Sequence, residues 1–212
     1  MKKTFYFLLL LSLILELGCE NKPNNPQESV QSNWEIGPFI KQDAENPILI
    51  PNPELVFLDP VSGEETAFEA RNVLNPSAVV KDGKVHLIYR AQDQKMTSRI
   101  ALATSEDGIH FTKEKAPIFF PDNDDMLVYE AFGGVEDPRV VQGSNGEYIL
   151  TYTSYDGKTA RLCLATSTDL KKWTKHGPVL KDPKNINLWS KSGAIVVEQF
   201  GVEMRAKKIA GK

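Results

Sequence analysis

Residues 81–90 read Lys81-Asp82-Gly83-Lys84-Val85-His86-Leu87-Ile88-Tyr89-Arg90, and residues 144–153 read Ser144-Asn145-Gly146-Glu147-Tyr148-Ile149-Leu150-Thr151-Tyr152-Thr153. Each stretch sets a turn dipeptide, Asp-Gly or Asn-Gly, directly before an apolar run rich in β-branched and aromatic residues. Those dipeptides tolerate the left-handed backbone of a tight hairpin, so the pattern predicts strand, turn, strand. Working outward, Val79-Val80 leads into the first turn, and Asp156-Gly157 forms another. Ile100–Ala103, Leu162–Ala165 and Ala194–Val197 are further short apolar runs. No stretch carries the 3.6-residue period of an amphipathic helix. The expected fold class is all-β.

A second echo follows the first. Ser105-Glu106-Asp107-Gly108-Ile109-His110-Phe111 returns as Ser167-Thr168-Asp169-Leu170-Lys171-Lys172-Trp173, with Ala103 repeated at Ala165 after an offset of 62 residues. The Ser and Asp side chains suit turn backbone groups, and the closing aromatic is placed to pack between sheets. A period of about 60 residues holding about four strands is the spacing of propeller blades. A third unit begins at Gly193-Ala194-Ile195-Val196-Val197 and runs to Gly211-Lys212. About three blades do not close a ring, so the expectation is a chain truncated at its C-terminus.

The N-terminus reads as an address. Met1-Lys2-Lys3 is a positive start, Phe5–Leu15 is apolar, and Leu17-Gly18-Cys19 sets a small residue before a cysteine. An apolar run of about 11 residues is shorter than the roughly 20 that span a bilayer as a helix. The segment 1–18 resembles a bacterial lipoprotein signal, with Cys19 as the lipidated residue and Glu16 as a departure from the pattern. The resemblance implies export to the periplasm or cell surface, with membrane contact only through that lipid. Residues 19–33, rich in Asn, Pro, Gln and Ser, read as a tether, and 34–212 as the folded part. With Cys19 lipidated, Cys163 has no partner for an internal disulfide, and its apolar setting predicts a buried, inert thiol.

The 212 residues carry 25 basic and 28 acidic side chains, so no basic excess exists for nucleic-acid binding. Phosphate loops, paired cysteines and metal-spaced histidines are missing, and the motifs ask for neither cofactor nor metal. What remains is charge inside apolar, glycine-bearing segments. In Phe132-Gly133-Gly134-Val135-Glu136-Asp137-Pro138-Arg139, flanking valines predict partial burial, which would raise a carboxyl pKa as a general acid requires. Strand alternation sets Glu136 and Asp137 on opposite faces. The structural alternative is an acid paired with Arg139. Arg71, Asn72 and Asn75 offer planar donors for vicinal hydroxyls, or turn chemistry at Asn75-Pro76. Arg90 and Arg99 sit at strand ends where burial demands an anionic or polyol partner. An internal salt bridge from Arg90 to Asp93 is the plainer reading. Lys191 suits a sugar or phosphate oxygen, or solvent, and Tyr129, Phe132 and Trp189 suit either sugar faces or a core.

From about Pro53 onward the chain resembles glycoside hydrolase family 130, the β-mannoside phosphorylases and β-mannosidases on a five-bladed β-propeller. The carrying residues are Gly133–Arg139, Arg71-Asn72 with Asn75-Pro76, Tyr89-Arg90-Ala91, Thr97-Ser98-Arg99-Ile100 and Lys191–Ile195. The resemblance implies an inverting enzyme acting on an oligosaccharide or glycan. In it Asp137 is the catalytic acid and Asn75, Arg90 and Arg99 hold the donor sugar. Arg71, Asn72, Asp93, Glu136 and Arg139 join the substrate-binding set. Lys191 matches a lysine associated with inorganic phosphate in phosphorolytic members. Export favours water over phosphate as the attacking group. The missing blades would supply the base; Glu130 and Glu136 are the weak candidates within the chain.

Overall fold

The structure, a computed structural model, describes residues 37–201 and 203–209. The signal segment, Cys19, the tether and Trp34 lie outside the described residues. By its contacts the chain divides after Lys41, and every described strand lies in the unit Gln42–Lys212.

The chain is all-β. A short hairpin comes first, β1 (Val56–Leu58) with β2 (Glu65–Ala67). An antiparallel meander follows: β3 (Asn72–Lys81), β4 (Lys84–Gln92), β5 (Ser98–Ser105) and β6 (Thr112–Lys113). A single helical turn, α1 (Leu127–Glu130), leads into the second meander. That meander is β7 (Gly134–Gln142), β8 (Tyr148–Tyr155), β9 (Ala160–Ser167) and β10 (Thr174–Pro178). A last hairpin, β11 (Val197–Phe200) with β12 (Glu203–Ala206), touches β7 through one parallel bridge, Arg205 to Gln142.

The turns behave as their sequences predict. Lys81 pairs with Lys84 across Asp82 (φ 51°) and Gly83 (φ 75°), a two-residue turn with both central residues left-handed. Asp107 Oδ1 accepts from the N–H groups of Ile109 and His110, and Asp169 Oδ1 from those of Lys171 and Lys172. The expected packing of the closing aromatics also holds: Trp173 lies against Phe119 with ring centroids 6.5 Å apart, and Phe111 packs on a second apolar cluster. Two expectations fail. Four residues form α1, too few to show a period. The run Ala194–Val196 is not strand, because β11 starts only at Val197.

Two cores explain the first meander's near-continuous burial. Ile88, Ile100 and Leu102 pack with Val135, Leu150, Tyr152 and Cys163 of the second meander. On the opposite face Phe68, Tyr89, Ala91, Ala101 and Ala103 are covered by Leu49, Leu55 and Phe57. The meanders join at one place, where Ser98 N–H donates to Gly133 O (2.9 Å) and Ser98 pairs in parallel with Gly134. Only glycine fits there: a β-carbon on Gly134, at φ 87°, would lie 2.0 Å from Ser98 O. This junction sits three residues before Asp137.

Candidate active site

Both meanders carry the same irregularity in their first strand. Pairing of β3 with β4 slips between Leu74 and Ser77, and pairing of β7 with β8 slips between Glu136 and Arg139. The residue inside each bulge is left-handed and precedes proline: Asn75 at φ 49° and Asp137 at φ 51°. Ser192, at φ 60°, holds the corresponding place before Gly193. Each bulge turns a side chain out of the strand's alternation.

The bulges therefore meet. Asn75 Nδ2 donates to Asp137 Oδ1 at 2.7 Å. Arg90 reaches across from β4, with Nη1 3.1 Å from Asp137 Oδ1 and Nη2 2.7 Å from Glu136 Oε1. Lys191 Nζ stands 3.5 Å from Asp137 Oδ2. Glu136 and Asp137 thus share one guanidinium, which corrects the expectation of opposite faces: the left-handed bulge breaks the period of two. Arg90 pairs with these acids rather than with Asp93, and Arg139, exposed beyond the bulge, is not the arginine that pairs with them.

Behind Arg90 lies a polar relay that the sequence reading did not anticipate. Arg90 Nε donates to Ser98 Oγ (2.9 Å), as does Gln92 Nε2 (3.1 Å), and Asn72 Nδ2 donates to Gln92 Oε1 (2.9 Å). Asn72 therefore supports the cluster from behind. Arg71 is exposed, and its N–H is used on Gln92 O.

Two expected sugar ligands lie elsewhere. Arg99, 3% exposed, is held by Asp59 (2.5 Å) and Asp93 (2.9 Å). Asp93 also accepts from the N–H groups of Lys95 and Thr97, closing the β4–β5 turn. The second repeat does the same with Arg161 and Asp156, whose carboxylate accepts from Lys158 and Thr159. A pair that recurs in both hairpins is turn architecture.

The electrostatics reverse one expectation. Burial does push the Asp137 carboxyl upward, but the Asn75 hydrogen bond and the charges of Arg90 and Lys191 outweigh it. The net effect holds Asp137 below the ordinary carboxylate value. Its neighbour Glu136 is the raised group, because burial there exceeds the pull of Arg90. Glu130 is also raised, to about 7, by burial against the opposing charge of Lys175. Fully buried and bound to Tyr152 Oη (3.0 Å) and Lys175 Nζ (2.6 Å), Glu130 faces away from the cluster as part of the interior. Cys163 is fully buried and its thiol is pushed up by burial, as expected of an inert cysteine.

The cluster is charge-balanced, two acids with two cations around one amide, and open enough for Lys191 to be 39% exposed. Convergent planar donors around a half-buried carboxylate suit a polyhydroxylated ligand.

Known proteins fall into place on this geometry. Residues 41–209 match the family model described as beta-1,4-mannooligosaccharide phosphorylase, glycoside hydrolase family 130. A 1,2-beta-oligomannan phosphorylase of Thermoanaerobacter sp. (strain X514) is 32% identical over 154 residues, 68% of this chain and 46% of that protein. A solved member of the mannoside phosphorylase family, from work on glycoside hydrolases that target beta-1,2 mannosidic linkages in Candida mannan, is 41% identical. It superimposes with a TM-score of 0.81 over 84% of this chain and 52% of that one. A glycosyl hydrolase from Bacteroides ovatus gives 38% identity, a TM-score of 0.80 and the same coverage. The relatives are enzymes of the glycosidase type, hydrolases and phosphorylases. This chain belongs to glycoside hydrolase family 130. It spans about half the length of the relatives it matches.

Proposed function

We propose that the protein cleaves β-mannosidic bonds of oligosaccharides by inverting hydrolysis, as part of a five-bladed β-propeller of which this chain forms about three blades. The observation that carries the reading is the convergence of Asn75, Arg90 and Lys191 on Asp137. In this mechanism water attacks the anomeric carbon from the face opposite the leaving sugar. The glycosidic carbon–oxygen bond breaks, and the leaving oxygen takes a proton from Asp137 through a hydroxyl of the bound mannose. Asp137 is ionised in the free protein, so it must gain that proton when substrate binds. Burial is already the largest single influence on its carboxyl and acts upward. A sugar ring that excludes the remaining water strengthens that influence and favours the protonated acid.

Solved relatives at 38–41% identity are described as hydrolases, which supports water as the attacking group. One observation favours phosphorolysis as a second reading: Lys191 offers an exposed ammonium beside the acid, and the curated relatives are phosphorylases. Export by the lipoprotein-type signal, with Cys19 lipidated, is part of the proposal and supports hydrolysis, since a cell retains sugar phosphates in the cytoplasm.

Incubation with β-1,2-mannobiose, with and without inorganic phosphate, followed by proton NMR, tests the reading. Hydrolysis gives α-mannose as the first anomer in both conditions. Formation of α-mannose 1-phosphate only with phosphate replaces the first reading with the second. No turnover in either condition ends both.

A further inference from the structure

We propose that Phe132 is the platform for the sugar on the leaving side of the scissile bond, and that the cavity beside it receives the next ring of a longer oligosaccharide. This rests on the reading of Asp137 as the proton donor, and it assigns a site that the donor cluster does not include.

Phe132 is displayed in an unusual way. Its side chain is among the most exposed of the large apolar ones, at 84%, while its backbone is left-handed at φ 75°. A bulky residue in that conformation is strained and persists only when its surroundings fix it. Here they do. Thr97 Oγ1 donates to Phe132 O (3.1 Å), and Gly133 is held from both sides, its carbonyl by Ser98 N–H and its N–H by Tyr155 O (3.0 Å). The ring is thus presented to solvent on a rigid stem, which lowers the ordering cost of stacking a ligand on it.

The ring also borders a cavity of about 650 Å³, within the usual range for small-molecule sites. Thr97, Gln94, Lys95, Glu64 and Thr66 contribute to the rest of its wall. That wall offers hydroxyl, amide, ammonium and carboxylate groups opposite one aromatic face. A pyranose ring has matching chemistry, an apolar C–H face and a rim of hydroxyls; a purely apolar ligand would desolvate the charged groups without pairing them. The cavity is continuous with the site, since Thr97 adjoins Ser98, the hydroxyl that holds Arg90. In the first repeat the matching Glu69-Ala70 is followed by Arg71, whereas Glu130-Ala131 is followed by Phe132. The aromatic therefore belongs to one side of the cluster only.

Titration of the full chain with mannose, β-1,2-mannobiose and β-1,2-mannotriose, read by calorimetry and ligand-observed NMR, tests the assignment. Phe132→Ala should weaken the two oligosaccharides about three- to tenfold relative to mannose, and Phe132→Trp should restore the ratio. Thr66→Trp, which fills the cavity, should weaken mannotriose relative to mannobiose. Equal losses for all three sugars, or unchanged ratios, would overturn this assignment and leave the reading of Asp137 standing. A wild-type chain that binds none of the three would sink both.

Discussion

The first repeat and the second differ where chemistry is expected and agree where architecture is required. Glu69 accepts from Tyr89 Oη (2.7 Å) and pairs with Lys113; Glu130 accepts from Tyr152 Oη and pairs with Lys175. Both glutamates are fully buried, and each anchors the segment that leads into its meander's first strand. The Arg99–Asp93 pair likewise recurs as Arg161–Asp156. Against this constant frame, Asn75 becomes Asp137 in the same left-handed bulge, and Arg90 becomes Thr153 in the same strand. The comparison teaches that one residue per repeat is freed from alternation by the bulge, and that its identity decides which repeat carries the acid.

Making the repeats alike at that residue gives the largest expected effect. Asp137→Asn keeps the shape and removes the proton, so turnover of β-1,2-mannobiose should fall about 10²- to 10⁴-fold while sugar affinity is retained. A glycan-binding protein without catalysis would show no turnover to lose. The reciprocal change, Asn75→Asp, sets a second carboxylate where the amide donates to Asp137 at 2.7 Å. Like charges disfavour joint ionisation, so the titration of Asp137 should move upward. Carbon-detected NMR of the side-chain carboxyls would check the direction.

Next comes the frame itself. Glu130 is raised to about 7 by burial, above the ordinary 4.5 that it regains on unfolding. Between those values the folded chain holds a proton that the unfolded chain has lost. The stability this contributes is fully present below pH 4.5 and is lost as pH rises through 7, by about 3 kcal/mol. Glu130→Gln mimics the protonated acid and should flatten that part of a Tm-against-pH curve measured from pH 5 to 8. A variant whose curve keeps the wild-type slope would show that other groups govern this window.

What was legible in the sequence was local. Asp82-Gly83 and the Ser105-to-Asp107 and Ser167-to-Asp169 turns carry their own geometry, so the strands between them followed, as did the all-β class. Asn75, Arg90, Asp137 and Lys191 stood out as charge or amide in apolar surroundings, and the fold brings all four together. The misses are long-range. Alternation assigned Glu136 and Asp137 to opposite faces because nothing in the segment announces a bulge; its trace was the repeated Asn-Pro and Asp-Pro. Burial alone was used to raise Asp137, whereas its three partners come from β3, β4 and the segment before β11. Arg99 looked like a ligand because an arginine in an apolar strand needs a partner, and the partners, Asp59 and Asp93, lie 40 and 6 residues away. The Glu-Tyr-Lys sets were visible only as an echo whose contacts close through the interior.

The smallest effect sharpens the comparison at its other variable position. Where Arg90 spans from one meander to the next, Thr153 is short, 1% exposed, and its Oγ1 is buried without a hydrogen-bond partner. An unpaired buried hydroxyl costs stability, and valine has the same shape without it. Thr153→Val should therefore stabilise the chain by about 1 kcal/mol, a rise in Tm of about 2–4 °C for a chain of this size. The matched change in the first repeat, Arg90→Val, should act the other way, because Glu136 and Asp137 would lose their shared cation. Opposite signs at the two positions would establish that the cross-repeat contact belongs to the acid-bearing junction alone. A loss of stability in Thr153→Val would mean that its hydroxyl is satisfied through water, and that both repeats use this position to reach their neighbour.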